Sequence, residues 1–289
     1  MSYGTKVPYC AEPRESIFLD LTYVFRDSVA AIALACAATS AASQPWDSDS
    51  GVPDLEWRGG AQLKRDWTSR GTPQESTKTQ VEINTFIDGP VSFIRLTVPF
   101  PDEDTDFGGS PFDPQLGDIS VRAGFRALKH GKLSFPSYVA LTFPTANPQS
   151  AGNQNYEIAA GIKLLAPFAA SFMPDTHRTR FEAELSQTNS FAGDPDAKDT
   201  NVTKAELIVS DLWRERYTGK VSYKPSWDHV KHETGAVVEV QVGFYFGEKH
   251  GRTHRAWRAW LMGGSRVAGP EGVSGTYNTR LELGLARTF

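Results

Sequence analysis

Serine and histidine side chains are the first candidates for chemistry, because a Ser–His pair within hydrogen-bonding distance can carry out acyl transfer. The chain contains 6 histidines, and its run Gly263-Gly264-Ser265 lacks the Gly-x-Ser-x-Gly context of a nucleophile elbow. None of the histidines falls in a hydrolase motif. We therefore interpret them as solvated side chains of turns, loops and strand ends: His130, His177, His229, His232, His250 and His254. The sequence predicts no catalytic residue.

Acidic clusters are the next candidates, since carboxylate oxygens bind hard cations such as Ca²⁺. Two stretches carry such clusters, residues 102–106 and 194–199. Neither has the residue spacing of a defined calcium loop. We therefore predict no specific metal site and no cofactor.

The remaining charged side chains recur at every second position of alternating segments. Between residues 236 and 246, for example, Val238 and Val240 alternate with Glu239 and Gln241. Strict period-two alternation is typical of a strand with one apolar and one polar face. The pattern predicts strands near residues 54–68, 77–88, 91–100, 118–129, 132–144, 156–166, 177–190, 201–212, 216–226, 234–247, 252–263 and 275–289.

The lengths of these segments and of their connections indicate which face meets water. The segments run about 10–14 residues, close to the ~9–11 that a tilted strand needs to cross a bilayer and above the ~5–6 usual in globular sheets. Tight turns near 88–90, 129–131, 213–215 and 248–251 alternate with longer polar loops, as in bacterial outer-membrane barrels. The predicted fold class is all-β, a single antiparallel transmembrane β-barrel of about 12 strands. Its predicted location is the outer membrane of a Gram-negative cell.

Both ends of the chain favour export to that membrane. Residues 28–43 (SVAAIALACAATSAAS) combine a short apolar core with a small-residue cleavage site, as in a secretory signal peptide. The predicted organisation is an N-terminal extension with signal peptide over 1–43, followed by the barrel over 44–289. The mature chain would then lack cysteine, since Cys10 and Cys36 come first. Phe289 ends an alternating strand and resembles the C-terminal signal that the barrel assembly machinery recognises.

A membrane barrel turns its polar faces inward, so charged residues would line the lumen. The predicted lumen-lining residues are Arg95, Arg122, Arg126, Glu182, Glu184, Glu239, Arg258 and Glu282. Arg122 and Arg126, on either side of Gly124, would form a positive patch. Because an unpaired buried charge is costly, the mixed signs indicate cross-strand pairing around water. Two interpretations stay open: a polar channel whose selectivity these charges set, or a salt-bridged lumen that conducts little.

Aromatic residues fall mostly toward the ends of the predicted strands. Such a placement is typical of the interfacial girdles of membrane proteins. The residues concerned are Trp57, Trp67, Trp213, Tyr217, Trp227, Tyr245, Trp257 and Trp260.

Three short motifs point to a family. They are Leu96-Thr97-Val98-Pro99-Phe100, Leu116-Gly117-Asp118-Ile119-Ser120 and Val139-Ala140-Leu141-Thr142-Phe143-Pro144-Thr145. Together they resemble the bacterial outer-membrane transporter family of the phenol-degradation MetA-pathway type, although Ala146 stands where that family often has glycine. The resemblance covers about residues 54–289. It implies an outer-membrane barrel for uptake or export of small, often hydrophobic compounds, and it transfers no catalytic residue.

The expected function is that of a passive channel or transporter for small molecules, hydrophobic ones among them. Its expected partners are outer-membrane lipid and lipopolysaccharide, the barrel assembly machinery and a small-molecule solute. A formal net charge of −4 gives no reason to expect nucleic acid. Two alternatives are an outer-membrane lipid-modifying enzyme and a non-conducting surface barrel.

Overall fold

The computed structural model describes residues 59–69, 75–87, 91–102, 114–130, 133–168, 177–250 and 254–288. The predicted signal peptide, the predicted boundary between residues 43 and 44, and Phe289 lie outside these ranges. Within them, no helix is long and apolar enough to cross a membrane.

Twelve antiparallel strands form a closed barrel in which each strand pairs with its sequence neighbours and β1 pairs with β12. This confirms the predicted fold class and strand number. The strands are β1 (Gly60–Thr68), β2 (Ser76–Phe86), β3 (Val91–Pro101), β4 (Ile119–His130), β5 (Leu133–Phe143), β6 (Asn155–Phe168), β7 (His177–Gly193), β8 (Asn201–Trp213), β9 (Tyr217–Asp228), β10 (Glu233–His250), β11 (His254–Ala268) and β12 (Thr279–Thr288).

The apolar face of each strand points outward. On β10, Val240 and Val242 are 50% and 53% exposed, while Glu239 between Val238 and Val240 is 2% exposed. A soluble barrel would bury these valines, whereas a membrane barrel presents them to lipid. The alternation of the sequence is therefore that of a transmembrane barrel.

Aromatic pairs mark both edges of this apolar surface. Trp213 stacks on Tyr217 at a centroid distance of 5.6 Å, and Tyr156 lies 6.3 Å from Phe143 near the opposite strand ends. From Tyr217 to Trp227 the outward face of β9 covers about ten residue steps, ~33 Å along the strand and about 25 Å of height at a tilt of ~40°. That height matches the apolar band of an outer-membrane barrel.

Two predicted girdle residues face the lumen instead. Tyr245 and Trp260 are 5% and 6% exposed and occupy the inward register of β10 and β11. Trp257, three residues before Trp260, stays on the outward face beside Phe246, at a ring distance of 6.2 Å. The period-two rule explains the difference, because residues three apart on a strand lie on opposite faces.

Two loops differ from the sequence prediction. The last strand begins at Thr279 rather than near residue 275, because the segment 269–278 folds inward. The predicted long connection over 227–233 is only residues 229–232, since β9 continues to Asp228 and β10 starts at Glu233. The Asp228 carboxylate accepts hydrogen bonds from the backbone N–H groups of Val230 and Lys231, which closes this tighter turn.

Candidate functional site

The strand register places seven of the eight predicted lumen residues on the inward face: Arg95, Arg122, Glu182, Glu184, Glu239, Arg258 and Glu282. The side chain of Arg126 lies outside the described part of the structure, and the β4–β5 register shifts between Phe125 and Leu128. The predicted positive patch of Arg122 and Arg126 therefore stays a prediction. Arg122 is instead directly opposite Arg95 on β3.

Arg280 is the centre of the largest charge network. Its guanidinium nitrogens lie 2.8 Å from Asp66, 3.2 Å from Glu239 and 2.6 Å from Glu282. One cation thus joins carboxylates from β1, β10 and β12. Glu282 also accepts a 2.6 Å hydrogen bond from the Trp260 indole N–H.

The inward-folded segment 269–278, here called the lumen loop, is anchored to this network. The Tyr277 hydroxyl donates a 2.5 Å hydrogen bond to Glu239, and Ser226 donates a 2.6 Å bond to the Ser274 carbonyl. Val273 is 1% exposed. Burial, followed by the negative charge of Glu239, raises the pKa of the Tyr277 phenol above its ordinary value. The phenol therefore stays protonated and remains a hydrogen-bond donor.

A second network surrounds Glu82 on β2. Its carboxylate pairs with Lys64 and accepts a hydrogen bond from Gln62. Arg95 lies 3.6 Å from the other Glu82 oxygen and donates a 2.8 Å bond to Asn84. The charge of Glu82 is thus compensated by its own neighbours.

A third network joins β5, β6 and β7. Lys163 lies 3.0 Å from Glu184, which also accepts a 2.7 Å bond from the Tyr138 hydroxyl. The guanidinium of Arg122 lies over the Tyr138 ring at 4.1 Å. Such a stack adds cation–π attraction and holds the ring in place.

Between these networks lies a cavity of about 530 Å³. Glu82, Arg95, Arg122, Glu157 and Lys204 supply its charged lining. Hydroxyl and amide groups make up much of the remaining wall: Gln80, Thr97, Ser120, Thr142, Asn153, Thr188, Thr200 and Ser274. We call this part of the lumen, together with the Arg280 network and the lumen loop, the outer half, because it lies toward the longer loops.

Three aromatic rings lie against the wall in the inner half of the lumen, toward the short turns. Phe93, Tyr138 and Trp260 each lie over a glycine directly opposite on the next strand: Gly124, Gly161 and Gly284 respectively. A Cβ atom added at these glycines would lie 1.9, 2.5 and 2.0 Å from the ring atoms. Only glycine therefore lets these rings lie flat against the wall. Charged side chains also face this half. They include Lys220, the buried pair Arg180–Glu182, and Arg258, whose guanidinium lies 5.2 Å from the Trp260 ring.

The sequence analysis missed several charged residues that face the lumen. They are Lys64, Asp66, Lys163, Lys204, Lys220 and Lys224. The signal that could have identified them is the same alternation: Lys220, Ser222, Lys224 and Ser226 occupy every second position of β9. The alternation of β9 is hard to recognise because its other face is weakly apolar and includes Gly219 and Pro225.

One of the histidines contacts a hydroxyl on the outward face. His229 Nε2 lies 2.8 Å from Thr203 Oγ1, which donates its proton to the Gln187 carbonyl oxygen. The Gln187 amide nitrogen in turn donates to Asn201 at 2.8 Å, which fixes the orientation of that amide. Because the single hydroxyl proton goes to Gln187, His229 must donate to Thr203 rather than accept from it. The pair therefore lacks the geometry of a base and its nucleophile.

The acidic clusters form no metal site within the described ranges, where no group of three His, Cys, Asp or Glu residues could hold an ion. Asp102 pairs bidentately with Arg65 on the outward face. Asp194 instead accepts a 2.9 Å hydrogen bond from the Asp196 backbone N–H.

The three sequence motifs meet where β3, β4 and β5 end near the longer loops. Gly117 N donates a 2.9 Å bond to the Pro99 carbonyl, and Thr145 Oγ1 donates to Gly117 O at 3.1 Å and accepts from Ile119 N at 2.9 Å. The Asp118 carboxylate accepts from the backbone N–H of Ala146 at 3.1 Å. We call this arrangement the motif clasp. It joins three strands through hydrogen bonds and contains no reactive group.

Comparison with known proteins extends the description of the fold. No family model matches the chain, and no curated protein matches it. The solved structures that do match include the COG4313 outer membrane channel from Pseudomonas putida F1, with a TM-score of 0.56 and 13% identity over 82% of this chain and 100% of that chain. The NanC porin matches with a TM-score of 0.53 and 8% identity over 79% of this chain and 100% of that chain.

The chain has the fold of an outer-membrane β-barrel. At identities of 8% and 13% the likeness concerns the fold alone, and the lumen must be interpreted from its own residues.

Proposed function

We propose that this protein is a passive channel for small molecules across the outer membrane of a Gram-negative bacterium. The observation that carries the proposal is the polar outer half of the lumen, with its cavity of about 530 Å³ inside a closed barrel. An aqueous path needs polar walls, and the inward charges supply them. The barrel assembly machinery, outer-membrane lipid and lipopolysaccharide are the partners expected of a protein in this location.

A channel is favoured over the lipid-modifying enzyme by the state of the rim histidine. His229 and Thr203 are close enough for chemistry, but the Thr203 proton is committed to Gln187. The names of the two solved neighbours, a porin and a channel, point in the same direction. We therefore propose that the protein is not an enzyme.

The MetA-pathway resemblance is part of the same proposal. Its three motifs form one hydrogen-bonded clasp, which gives each motif a structural reason to occur with the others. Gly117 supports this interpretation, because a Cβ atom there would lie 3.0 Å from the Pro99 ring. Membership of that family would extend the proposal to uptake or export of small compounds.

Single-channel recording of the folded protein in a planar bilayer tests the proposal. We expect discrete, ohmic openings, because water and ions can enter the charged outer half. Detergent buffer without protein and protein unfolded by heat serve as controls for leakage. Silence from protein that migrates as a folded barrel on an unheated gel would contradict a passive channel.

A further inference from the structure

Basic side chains dominate the charged lining of the cavity. Arg95, Arg122 and Lys204 all line it, against the carboxylates Glu82 and Glu157. Glu82 pairs with Lys64, which does not line the cavity, and its other oxygen lies 3.6 Å from Arg95. With three cations against two carboxylates, the described lining carries a net positive charge, although the whole chain carries a formal net charge of −4.

Two of these cations are forced together by the strand register. Arg95 on β3 and Arg122 on β4 are direct cross-strand partners. Like charges directly opposite each other on a sheet repel. The stacking of Arg122 on Tyr138 turns its guanidinium along the wall, and Arg95 is held by Asn84. Both cations are thus fixed in place before any solute arrives.

The third cation lies on β8 and is open to water. Lys204 is exposed, and within the described ranges its ammonium makes no hydrogen bond or ion pair. The lumen loop packs on its stem, since a Cβ atom at Gly275 would lie 2.4 Å from Lys204 Cε. This contact limits where the ammonium can go and keeps it beside the cavity. Glu157, the other acid of the lining besides Glu82, accepts a 2.8 Å hydrogen bond from Thr200.

The rest of the cavity wall offers small polar groups. Threonine and serine hydroxyls and two side-chain amides form much of it, and the apolar lining is limited to small residues such as Ala140, Ala159 and Val202. Such a wall can exchange hydrogen bonds with a hydrated or hydroxylated solute. It offers no large apolar surface to a hydrophobic one.

We propose that this cavity is a binding site for small hydrophilic carboxylates, whose charge is held by Arg95, Arg122 and Lys204 as they enter the channel. The inference rests on the proposed channel function and names the class of solute for the same lumen. The proposed solutes are polar anions, whereas the family resemblance implies hydrophobic compounds. Electrostatic focusing by a charged cleft raises the local concentration of its counter-ion, so the site would also favour entry.

The test uses reversal potentials of the complete folded protein in a potassium chloride gradient, followed by addition of gluconate or benzoate. We expect chloride to permeate better than potassium. Gluconate, a hydroxylated carboxylate, should reduce the chloride current saturably, and benzoate at equal concentration should do so less.

Three variants test which cations set the chloride-to-potassium permeability ratio. Arg122→Gln and Lys204→Gln should each lower the chloride-to-potassium permeability ratio, by up to about five-fold for one charge close to the ion. Lys198→Gln removes the same charge from an exposed loop position outside the cavity lining and should leave the ratio unchanged. Lys204→Gln breaks no described hydrogen bond or ion pair, so it keeps the test available even if Arg122→Gln fails to fold.

The outcomes separate the two proposals. A folded protein that conducts but prefers potassium, or whose selectivity is the same in Lys204→Gln and Lys198→Gln, overturns the anion site and leaves the channel. Stronger block by benzoate than by gluconate overturns the hydrophilic class of solute. A folded protein that carries no current overturns the channel itself.

Discussion

The two halves of the lumen stabilise the same inward face of the barrel in different ways. In the outer half, charged side chains from several strands pair with one another, and Arg280 joins three carboxylates. In the inner half, Phe93, Tyr138 and Trp260 lie flat on glycines of the neighbouring strands. The outer half is thus stabilised by charge pairing, and the inner half by the fit of rings against glycines.

The difference explains how a barrel without a conventional core can be well packed. An ion pair exposed to water contributes less than a buried one, because water screens it and already solvates both partners. The Arg280 network is the exception in the outer half, because Asp66, Glu239 and Glu282 are only 1%, 2% and 6% exposed. A ring over glycine gains dispersion contacts over its whole face, whatever the solvent on the other side. The inner half can therefore hold the barrel together while the outer half stays open to solutes.

Removing the central cation should have the largest effect. Arg280→Ala leaves Asp66, Glu239 and Glu282 close together without their shared partner. We expect the free energy of unfolding to fall by about 3 kcal/mol, at the lower end of the cost of breaking a buried pair, because the Arg280 side chain is 21% exposed. The midpoint of urea unfolding, followed by the gel mobility of the folded barrel, measures it.

Arg266→Ala is the matched control for that change. Arg266 pairs at 3.3 Å with Glu271, whose side chain is 52% exposed. An exposed pair contributes about 0–1 kcal/mol, so the free energy of unfolding of this variant should stay close to that of the parent. Equal losses for the two arginines would contradict the central role of Arg280.

Filling a glycine of the inner half should have the next largest effect. In Gly284→Ala the new Cβ would meet the Trp260 indole at 2.0 Å. The ring must then move into the lumen and lose its hydrogen bond to Glu282. We expect a loss of about 2 kcal/mol, as for overpacking of a core, together with a lower single-channel conductance.

Gly263→Ala provides the comparison on the outward face. A Cβ atom at Gly263 has no other atom within 4 Å, so the added methyl should be accepted without loss of stability. The same unfolding assay applied to both glycine variants tests the shape argument. A stable Gly284→Ala barrel with unchanged conductance would show that the ring is not confined by the wall.

The sequence predicted the twelve strands and the faces of most residues, since both follow from period-two alternation. Tyr245 and Trp260 were placed wrongly because their nearness to strand ends was given more weight than their register. Counting from Trp257 would have placed Trp260 in the lumen. The glycine–ring pairs depend on which residues face each other across strands, and alternation along one strand cannot supply that register.

The lumen loop could not be predicted for a different reason. Tyr277 continues the alternation of Leu281, Leu283 and Leu285, so the sequence pattern extends the strand to residue 275. In the structure its hydroxyl instead bonds to Glu239 on β10. A long-range contact to a buried carboxylate outweighs the local preference for strand, and no local pattern records it.

That contact gives the last and smallest expected effect. Tyr277→Phe removes the hydroxyl that donates to Glu239 and leaves the ring. We expect a loss of about 1.5 kcal/mol, the lower range for hydrogen bonds to charged groups, and a higher conductance as the lumen loop is released from the Glu239 wall. Tyr223→Phe is the control, because Tyr223 is 42% exposed on the outward face and its hydroxyl has no partner among the described residues.

The raised pKa of Tyr277 determines how the stability difference between the parent and Tyr277→Phe depends on pH. A group whose pKa is higher in the folded state stabilises that state fully below the unfolded value of 10.0, and the contribution is lost as the pH rises through the folded value. The stability difference between the parent and Tyr277→Phe should therefore stay constant from about pH 7 to about pH 10. A difference that stays equally large above pH 10.0 would mean that the phenol has the same pKa in the folded and unfolded states. The lumen loop would then be held mainly by its other contacts, the Ser226 bond to Ser274 above all.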